Sequence, residues 1–165
     1  MKKAVLIPGI LAAVIAISGN VSPEKKTAKK LDAQIYYVDS SMLRLIPMDF
    51  DIGYTTETKA AQKVLDKLID GEDHNRRILR LIPDEKKCMS VKVEKSTAYV
   101  NLKESFTENI PENKNQEILM LYSIVNSLTS IDGIDTVKFL FDGREQKMTI
   151  GGIDMREVFI PDYYI

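Results

Sequence analysis

The residues best placed to do chemistry are Asp49 and Asp51, which follow the apolar run from Leu43 to Met48. An Asp-x-Asp at a strand end is an arrangement in which one carboxylate can attack phosphorus while the other protonates the leaving group. That chemistry also needs a lysine and further acidic ligands for Mg²⁺ on later parallel strands. The residues after Thr55 have the pattern of hairpins instead, so we favour a strand end followed by a turn and a helix start.

The only histidine and the only cysteine add little chemistry. His74 lies in a run of mixed charges whose spacing does not fit a calcium loop. One histidine cannot supply a zinc cluster, and Cys88 cannot form an internal disulfide. Gly151-Gly152 lacks the strand-to-helix setting of a nucleotide-binding loop and is interpreted as a bend. We therefore predict no catalytic, cofactor-binding or metal-binding residues, no cofactor and no enzyme activity.

The N-terminus predicts an export signal. Two lysines precede an uncharged run from Ala4 to Pro23, and a basic start before an apolar stretch is typical of a signal peptide or a signal anchor. As a helix, this run would span roughly 30 Å, the thickness of a bilayer core. The chain is accordingly divided into a signal peptide or signal anchor (residues 1–22), a charged tether (23–32) and a domain (33–165).

The charges beside the leader leave its orientation open. Four lysines between residues 25 and 30 follow it, against two before it, and this count would place the domain in the cytoplasm. A short basic start ahead of an apolar run favours export, so we expect the domain at the extracytoplasmic face of the cell membrane, or secreted if the leader is cleaved. Beyond residue 22 the chain has 23 − 2 = 21 basic and 24 acidic residues. This mildly acidic balance argues against a nucleic-acid partner.

Alternating side chains predict three hairpins in the domain. Their strands are Ile35–Val38 with Met42–Met48, Met89–Glu94 with Ala98–Lys103 across Lys95-Ser96, and Val137–Phe141 turning at Asp142-Gly143 toward Met148–Ile150.

Two helices are predicted between the hairpins. Thr55 or Thr56 can cap a helix from about Glu57 to Asp70, which Gly71 would end. The second runs from about Lys114 to Ser130 and has a broad apolar arc that contains Val125, so it should be buried on more than one side. Ser127 is assigned to the opposite face, where a charged side chain should be tolerated. The order ββ-α-ββ-α-ββ predicts a single α+β domain, with two helices packed on a mainly antiparallel or mixed sheet and an N-terminal hydrophobic leader before it.

Some of these segments also match a family pattern. The most specific are the string LYSIVNSLT from Leu121 to Thr129 and, after Gly133, the string VKFLFDG from Val137 to Gly143. Supporting segments are Ile35–Val38, Ile82-Pro83, Ser90–Val93, Thr97–Leu102 and Thr149–Gly152. Together they resemble the GerMN domain, named after the GerM sporulation and spore-germination protein of endospore-forming bacteria, over about residues 33 to 160. The chain departs from the family at Lys95-Ser96, where a glycine turn is frequent, at Asp84-Glu85, where a glycine follows the proline, and in having no lipid-accepting cysteine after the leader.

The resemblance implies an exported, membrane-tethered and non-catalytic protein-interaction module in sporulation or spore germination. Its expected partners are other proteins of a membrane-associated assembly, and its oligomeric state stays open. The alternative is a domain that binds a small ligand or a cell-wall glycan. Asn126 is the polar residue nearest the apolar arc of the second helix, and we expect it to hydrogen-bond backbone inside the fold.

Overall fold

The computed structural model describes residues 29–71, 77–82 and 89–165. The elements along the chain are β1 (Lys29–Asp39), β2 (Leu45–Tyr54), α1 (Glu57–Asp70), β3 (Ile78–Leu79), β4 (Met89–Glu94), β5 (Thr97–Leu102), α2 (Glu104–Thr107), α3 (Lys114–Thr129), β6 (Thr136–Phe141), β7 (Thr149–Ile150), β8 (Ile153–Asp154) and β9 (Val158–Phe159). The α+β class and the single domain are confirmed. The leader, residues 1–22, lies outside the described residues.

The described strands form two main sheets and one ribbon. The first sheet has the order β2-β1-β3 and is antiparallel, and the second has the order β4-β5-β6-β9. The second sheet is mixed, because β5 and β6 run parallel while its other pairs are antiparallel. The third sheet is a ribbon of two antiparallel strands, β7 and β8, with two residues in each.

The two long helices join these sheets into one core. Helix α1 contacts β1, β2 and β4, and helix α3 contacts β1, β6 and β7. Side chains from both helices and both sheets belong to one buried cluster, which includes Ile35, Leu65, Val100, Ile124 and Phe139. The short helix α2 was not predicted from the sequence, and it contributes the fully buried Phe106 to the same cluster.

The helix boundaries follow from their caps. The Thr56 hydroxyl accepts a hydrogen bond from Lys59 N–H at 3.3 Å, and Gly71 ends α1 with a φ of 65° that favours glycine. The Asn113 side chain accepts hydrogen bonds from the N–H groups of Asn115 and Gln116 at the start of α3. Both predicted helices are thus confirmed to within one residue at each end.

The first hairpin is longer than predicted at its open end, where β1 begins earlier and β2 ends later, while β2 begins at Leu45 and not at Met42. Strand β1 begins at Lys29, which pairs with Tyr54, so the boundary predicted at residue 33 falls inside this strand. Asp49 and Asp51 lie within β2, and the predicted strand end at this point is wrong. The strand continues because Gln34 and Asp32 face these aspartates on β1 and complete the register.

The predicted third hairpin is also wrong. Asp142 and Gly143 both have positive φ angles and form a turn closed by Phe141 and Arg144. The chain then leaves the sheet, and β6 pairs instead with β5 and β9. The segment Thr149–Ile150 pairs with Ile153–Asp154 across the Gly151-Gly152 bend, which is the local turn that the two glycines favour.

Ser127 is not on a solvent-facing side of α3. Its side chain is 0% exposed, and its hydroxyl oxygen accepts a hydrogen bond from Tyr36 N–H at 2.8 Å. The helix is enclosed because β1 covers one side of it and β6 lies against another. The amphipathic pattern could not show this contact, because a serine that bonds the backbone of a strand has the same polar signature in the sequence as an exposed serine.

Candidate interaction surface

Three carboxylates of the first hairpin, those of Asp32, Asp49 and Asp51, lie on its exposed face. Asp32 and Asp51 are opposite each other in the register, and Lys30 forms an ion pair with Asp51 at 2.7 Å. The hydrogen bond between the two carboxyl groups and the negative charge of Asp51 raise the pKa of Asp32, whereas the hydrogen bond from Lys30 lowers the pKa of Asp51. Gln34 donates a hydrogen bond to Asp49 at 3.1 Å. These groups therefore form a paired polar face on an antiparallel hairpin.

The other sequence candidates have structural roles or fall outside the described residues. His74 and Cys88 both lie outside them. At the Gly151-Gly152 bend, Gly151 N–H donates to Glu117 Oε2 at 2.6 Å, and a Cβ on Gly151 would come within 2.6 Å of the Ile118 side chain. The bend is therefore a packing contact with the first turns of α3. Within the described ranges, no three His, Cys, Asp or Glu side chains come together in a group that could hold a metal ion.

Asn126 ties the end of the chain to α3. Its Nδ2 donates to the carbonyl of Asp162 at 2.6 Å, and its Oδ1 accepts from Asp162 N–H at 3.0 Å. The side chain is 0% exposed. Its amide gives the backbone of Asp162 the acceptor and the donor that a neighbouring strand would otherwise provide. The prediction that Asn126 would bond backbone inside the fold is confirmed.

The last residues, 160–165, form a segment that crosses α3 and reaches the first sheet; we call it the C-terminal segment. The ring of Tyr163 packs on Tyr36 with centroids 5.4 Å apart, and Leu45 N–H donates to the carbonyl of Ile165 at 3.0 Å. Asp162 Oδ1 accepts from Tyr164 N–H at 3.0 Å, which holds Tyr164 fully exposed. The segment is anchored by these hydrogen bonds and by the Tyr163 ring, while Tyr164 extends into solvent.

The turn between β1 and β2, residues 40–44, also presents apolar side chains; we call it the first turn. Asp39 N–H donates to the Arg44 carbonyl at 3.0 Å, and Asp39 Oδ1 accepts from Ser41 N–H at 2.7 Å. Met42 has a φ of 57°, an unusual conformation for a residue with a large side chain. Leu43 is 80% exposed as a result, on a turn whose backbone is closed by hydrogen bonds.

The first turn, the C-terminal segment and α3 enclose a groove of about 270 Å³. Its lining residues are Met42, Leu43, Asn115, Ile118, Leu119, Tyr164 and Ile165. Large apolar side chains exposed together in one place mark an interaction site more often than scattered ones do. We call this groove and its rim the apolar patch.

Sequence reasoning missed the apolar patch. The available signal was a Met-Leu pair inside the otherwise polar turn Ser40 to Arg44, and a Tyr-Tyr-Ile string after Pro161-Asp162. Neither has a helical or strand period, so neither predicted a buried face. Their meeting depends on the hydrogen bonds of Asn126 and Leu45, which no local pattern reveals.

No helix in the described part of the chain is long and apolar enough to cross a membrane. The run predicted to do so, residues 4–23, lies outside that part.

Comparisons with solved structures show the fold. The structure is similar to the crystal structure of a "putative lipoprotein" from Clostridium perfringens, with a TM-score of 0.57 and 17% identity over 81% of this chain and 87% of that one. It is similar to the tandem GerMN domains of the sporulation protein GerM from Bacillus subtilis, with a TM-score of 0.59 and 21% identity over 76% of this chain and 44% of that one. The first GerMN domain of the same protein gives a TM-score of 0.53 and 19% identity over 71% of this chain and 86% of that one.

A search of the curated proteins found no match. The model of the Germane family, described as "Sporulation and spore germination", matches residues 34–147. The match begins within β1, includes the elements from β2 to β6 with both long helices, and ends before β7 and the C-terminal segment. The fold and this match together lead to one conclusion: the chain belongs to the Germane family of sporulation and spore germination.

Proposed function

We propose that this protein is a non-catalytic protein-interaction module of sporulation or spore germination, tethered to the extracytoplasmic face of the cell membrane by residues 1–22. The family description supports the process. The basic and apolar N-terminus of the sequence supports export, and the similarity to a structure described as a lipoprotein agrees with a membrane setting.

The observation that carries the proposal is the position of the apolar patch. The tether enters the domain at Lys29, the first residue of β1, and the first turn follows Asp39 at the other end of the same strand. The strand has 11 residues, and its ten residue-to-residue steps of ~3.3 Å each separate these two points by roughly 33 Å. A tethered domain of this shape holds its apolar patch away from its point of attachment, where a partner protein can reach it.

The proposed absence of catalysis rests on the polar groups described above. The carboxylates of the first hairpin are on an exposed face and engaged with Lys30 and Gln34. A general acid or base normally works in a concave site with a perturbed pKa. The groove of the apolar patch is concave, but the phenol of the fully exposed Tyr164 is the single titratable side chain in its lining.

The test is complementation of a null strain of the source bacterium. We expect a chain lacking residues 2–22 to fail and a chain with an unrelated export anchor in their place to restore sporulation or germination. A photoreactive benzoylphenylalanine at position 43 of the restored chain should crosslink to protein in sporulating cells. The same probe at Val158, which is also exposed but lies on β9 and does not line the groove, is the matched control.

Two outcomes would contradict the proposal. Full complementation by the leaderless chain would place the function in the cytoplasm. Equal crosslinking from positions 43 and 158 would mean that the apolar patch is not the interaction surface.

A second candidate function, binding of a cell-wall glycan, is favoured by one observation. Tyr99 lies half-buried on the outer face of the second sheet, in a depression of about 260 Å³ that also includes Ser90, Lys92, Asn101 and Leu140. An aromatic ring beside polar side chains suits a sugar, which has an apolar face and hydroxyl edges. Co-sedimentation with purified cell wall tests this directly, and Tyr99→Ala should abolish the binding while Leu43→Ser should not affect it.

A further inference from the structure

Strand β2 lies at the edge of the first sheet, and among the described strands its one neighbour is β1. Asp39 N–H donates to the Arg44 carbonyl across this pair. Along an antiparallel ladder, residues that bond the neighbouring strand alternate with residues whose N–H and C=O groups point the other way. In β2 the outward-pointing backbone groups therefore belong to residues 45, 47, 49, 51 and 53.

Both ends of this outer edge are closed by hydrogen bonds within the protein. Leu45 N–H donates to the carbonyl of Ile165 at 3.0 Å, and the carbonyl of Gly53 accepts a hydrogen bond from the ammonium group of Lys63. Both bonds leave β2 on the side opposite β1, as the alternation requires. The two closed ends define an open stretch between them, residues 47–51, which we call the β2 edge.

The β2 edge presents backbone groups that another strand can bond. Asp49 and Asp51 each point an N–H and a C=O outward, and no described residue bonds these four groups. Pro47 has no N–H and contributes only its carbonyl. Addition of a strand from another protein to such an edge is a recurrent mode of peptide recognition.

The two faces of the β2 edge specify different side chains in an added strand. On the exposed face, three carboxylates stand against the single ammonium group of Lys30, and the Asp49 carboxylate is bonded only to a neutral amide, that of Gln34. On the other face, Ile46 and Phe50 pack against the core but are only half-buried. Basic side chains would complement the first face, and apolar ones would cover the second.

We propose that the β2 edge binds an extended segment of a partner protein in which basic and apolar side chains alternate. The inference goes beyond the proposed function, because it names a surface other than the apolar patch. Residues directly opposite each other on neighbouring strands have Cβ atoms about 5 Å apart. A basic-apolar-basic segment can thus place two cations beside Asp49 and Asp51 and an apolar side chain beside Phe50.

The same charges oppose a second copy of this chain at the β2 edge. Two β2 strands paired through residues 49 to 51 would place carboxylates opposite carboxylates, and like charges in that position destabilise a sheet. Proline and charged side chains on an edge strand are also a known protection against uncontrolled pairing. A basic segment removes the repulsion that excludes a second copy.

The experiment measures binding of a fluorescein-labelled peptide, TKVRVKT, to the full chain in nanodiscs of phosphatidylcholine, a lipid without net charge. Fluorescence anisotropy should show saturable binding that empty nanodiscs do not give. The double variant Asp49→Asn with Asp51→Asn should weaken the affinity roughly tenfold. Asp132→Asn with Asp135→Asn removes the same charge from exposed positions elsewhere and should leave the affinity unchanged, as should Leu43→Ser.

A second measurement separates strand addition from simple charge attraction. Hydrogen exchange at single-residue resolution should slow at the outward amides of Asp49 and Asp51 when the peptide binds, while the amides of Met48 and Phe50, which face β1, stay protected throughout. A peptide with N-methyl groups on its basic residues keeps the charges but loses the backbone donors, so its affinity should fall about tenfold or more.

Four results would overturn the inference: no saturable binding of the alternating peptide, equal binding of the N-methylated peptide, equal binding of a peptide with glutamate at the basic positions, or an unchanged affinity in the Asp49 and Asp51 variant. All of these side chains are exposed, so both double variants should melt like the parent chain, which excludes unfolding as the cause of lost binding. The outcome is independent of crosslinking from position 43, so either proposal can fail while the other stands.

Discussion

At the scale of single residues, three non-glycine residues of the described ranges have a backbone conformation that usually belongs to glycine. Met42, Lys95 and Asp142 have φ angles of 57°, 54° and 46°. Asp142 precedes a glycine in a tight turn, where such angles are common. Lys95 stands in the tight turn between β4 and β5, so its conformation follows from the hairpin and not from its own preference.

Replacement of Lys95 with glycine should stabilise the protein. Left-handed backbone costs a residue with a Cβ roughly 1–2 kcal/mol, and part of the gain is offset by the greater freedom of glycine in the unfolded chain. We expect Lys95→Gly to raise the free energy of unfolding by about 1 kcal/mol, measured by urea denaturation. Lys95→Ala keeps the Cβ and is the control; an equal gain in both variants would attribute the effect to charge.

Asp154 should make part of the stability dependent on acid pH. Its carboxylate accepts hydrogen bonds from the Arg156 side chain and backbone, which lower its pKa from 3.8 to about 2. Because the folded pKa lies below the unfolded one, the contribution is complete above about pH 4 and is lost as the pH falls toward 2. Carboxyl NMR titration should find the low pKa, and Asp154→Asn should flatten the fall of the urea midpoint across this range. Asp132→Asn, in an exposed turn, should leave the fall unchanged.

Predictability at the residue scale depended on whether a residue's role was local. The buried bonds of Asn126 were predictable, because an amide beside an apolar arc must find partners. Leu43 and Tyr164 were not, because their importance arises from a meeting of residues about 120 positions apart. Ser127 was assigned to the wrong side of its helix for the same reason: its partner, Tyr36, is 91 residues away.

At the scale of elements, hydroxyl and amide side chains of the helices complete the edges of strands. Ser127 of α3 and Ser130, which caps the end of this helix, bond the β1 backbone at Tyr36 and Gln34. Gln62 and Thr58 of α1 accept hydrogen bonds from the N–H groups of Val91 and Val93 on β4, at 3.1 and 3.0 Å. Unpaired strand edges are sites of aggregation, so these contacts protect both sheets and fix the helices against them.

Loss of one such contact should be measurable with a matched pair of serines. Ser127→Ala leaves the buried N–H of Tyr36 without its partner, which should lower the free energy of unfolding by roughly 1–3 kcal/mol. Ser123→Ala also removes a buried hydroxyl from α3, but one that donates only to the Met120 carbonyl within the helix. The fall in the free energy of unfolding should be at least 1 kcal/mol smaller for Ser123→Ala than for Ser127→Ala, as measured by chemical denaturation. Equal losses would show that the hydroxyl does not support the strand edge.

The two long helices and the second hairpin were predictable because each is defined by a local signal, and the first hairpin was predicted in part. Thr56 and Gly71 mark the ends of α1, and alternation over six residues marks β4 and β5. The strands β3, β7, β8 and β9 have two residues each, too few for a period to be seen. The parallel pairing of β5 with β6 depends on the helical connection between them, which no local pattern specifies.

At the scale of the whole molecule, both sheets pack on one core, and the C-terminal segment crosses the outer side of α3. This segment and β7 to β9 follow the end of the family match at residue 147. The groove therefore combines a family element, α3, with residues 160–165 beyond the match. A relative without such a segment would have the same core but a different surface at this end.

Asn126→Ala should weaken the attachment of the C-terminal segment to α3. The substitution leaves the N–H and carbonyl of Asp162 without partners and should lower the free energy of unfolding by roughly 2–4 kcal/mol. Hydrogen exchange should accelerate at the amides of Asp162 and Leu45, while the amides of β5 follow only the global change. Asn101→Ala is the control, because Asn101 accepts a single bond from Gly143 at an exposed site. An equal loss in both variants would contradict the role of Asn126 as a tie between α3 and the C-terminal segment.

The serine bonds to β1 also constrain the order of events during synthesis. The ribosome releases β1 and β2 first, but Ser130 follows Tyr54 by 76 residues, a delay of roughly 4–15 s at ~5–20 residues per second. For that interval the nascent hairpin has an open edge along Gln34 and Tyr36. Translation speed through the middle of the message thus sets how long the first sheet is exposed to incorrect pairing, and slow codons between β2 and α3 should lower the yield of folded protein.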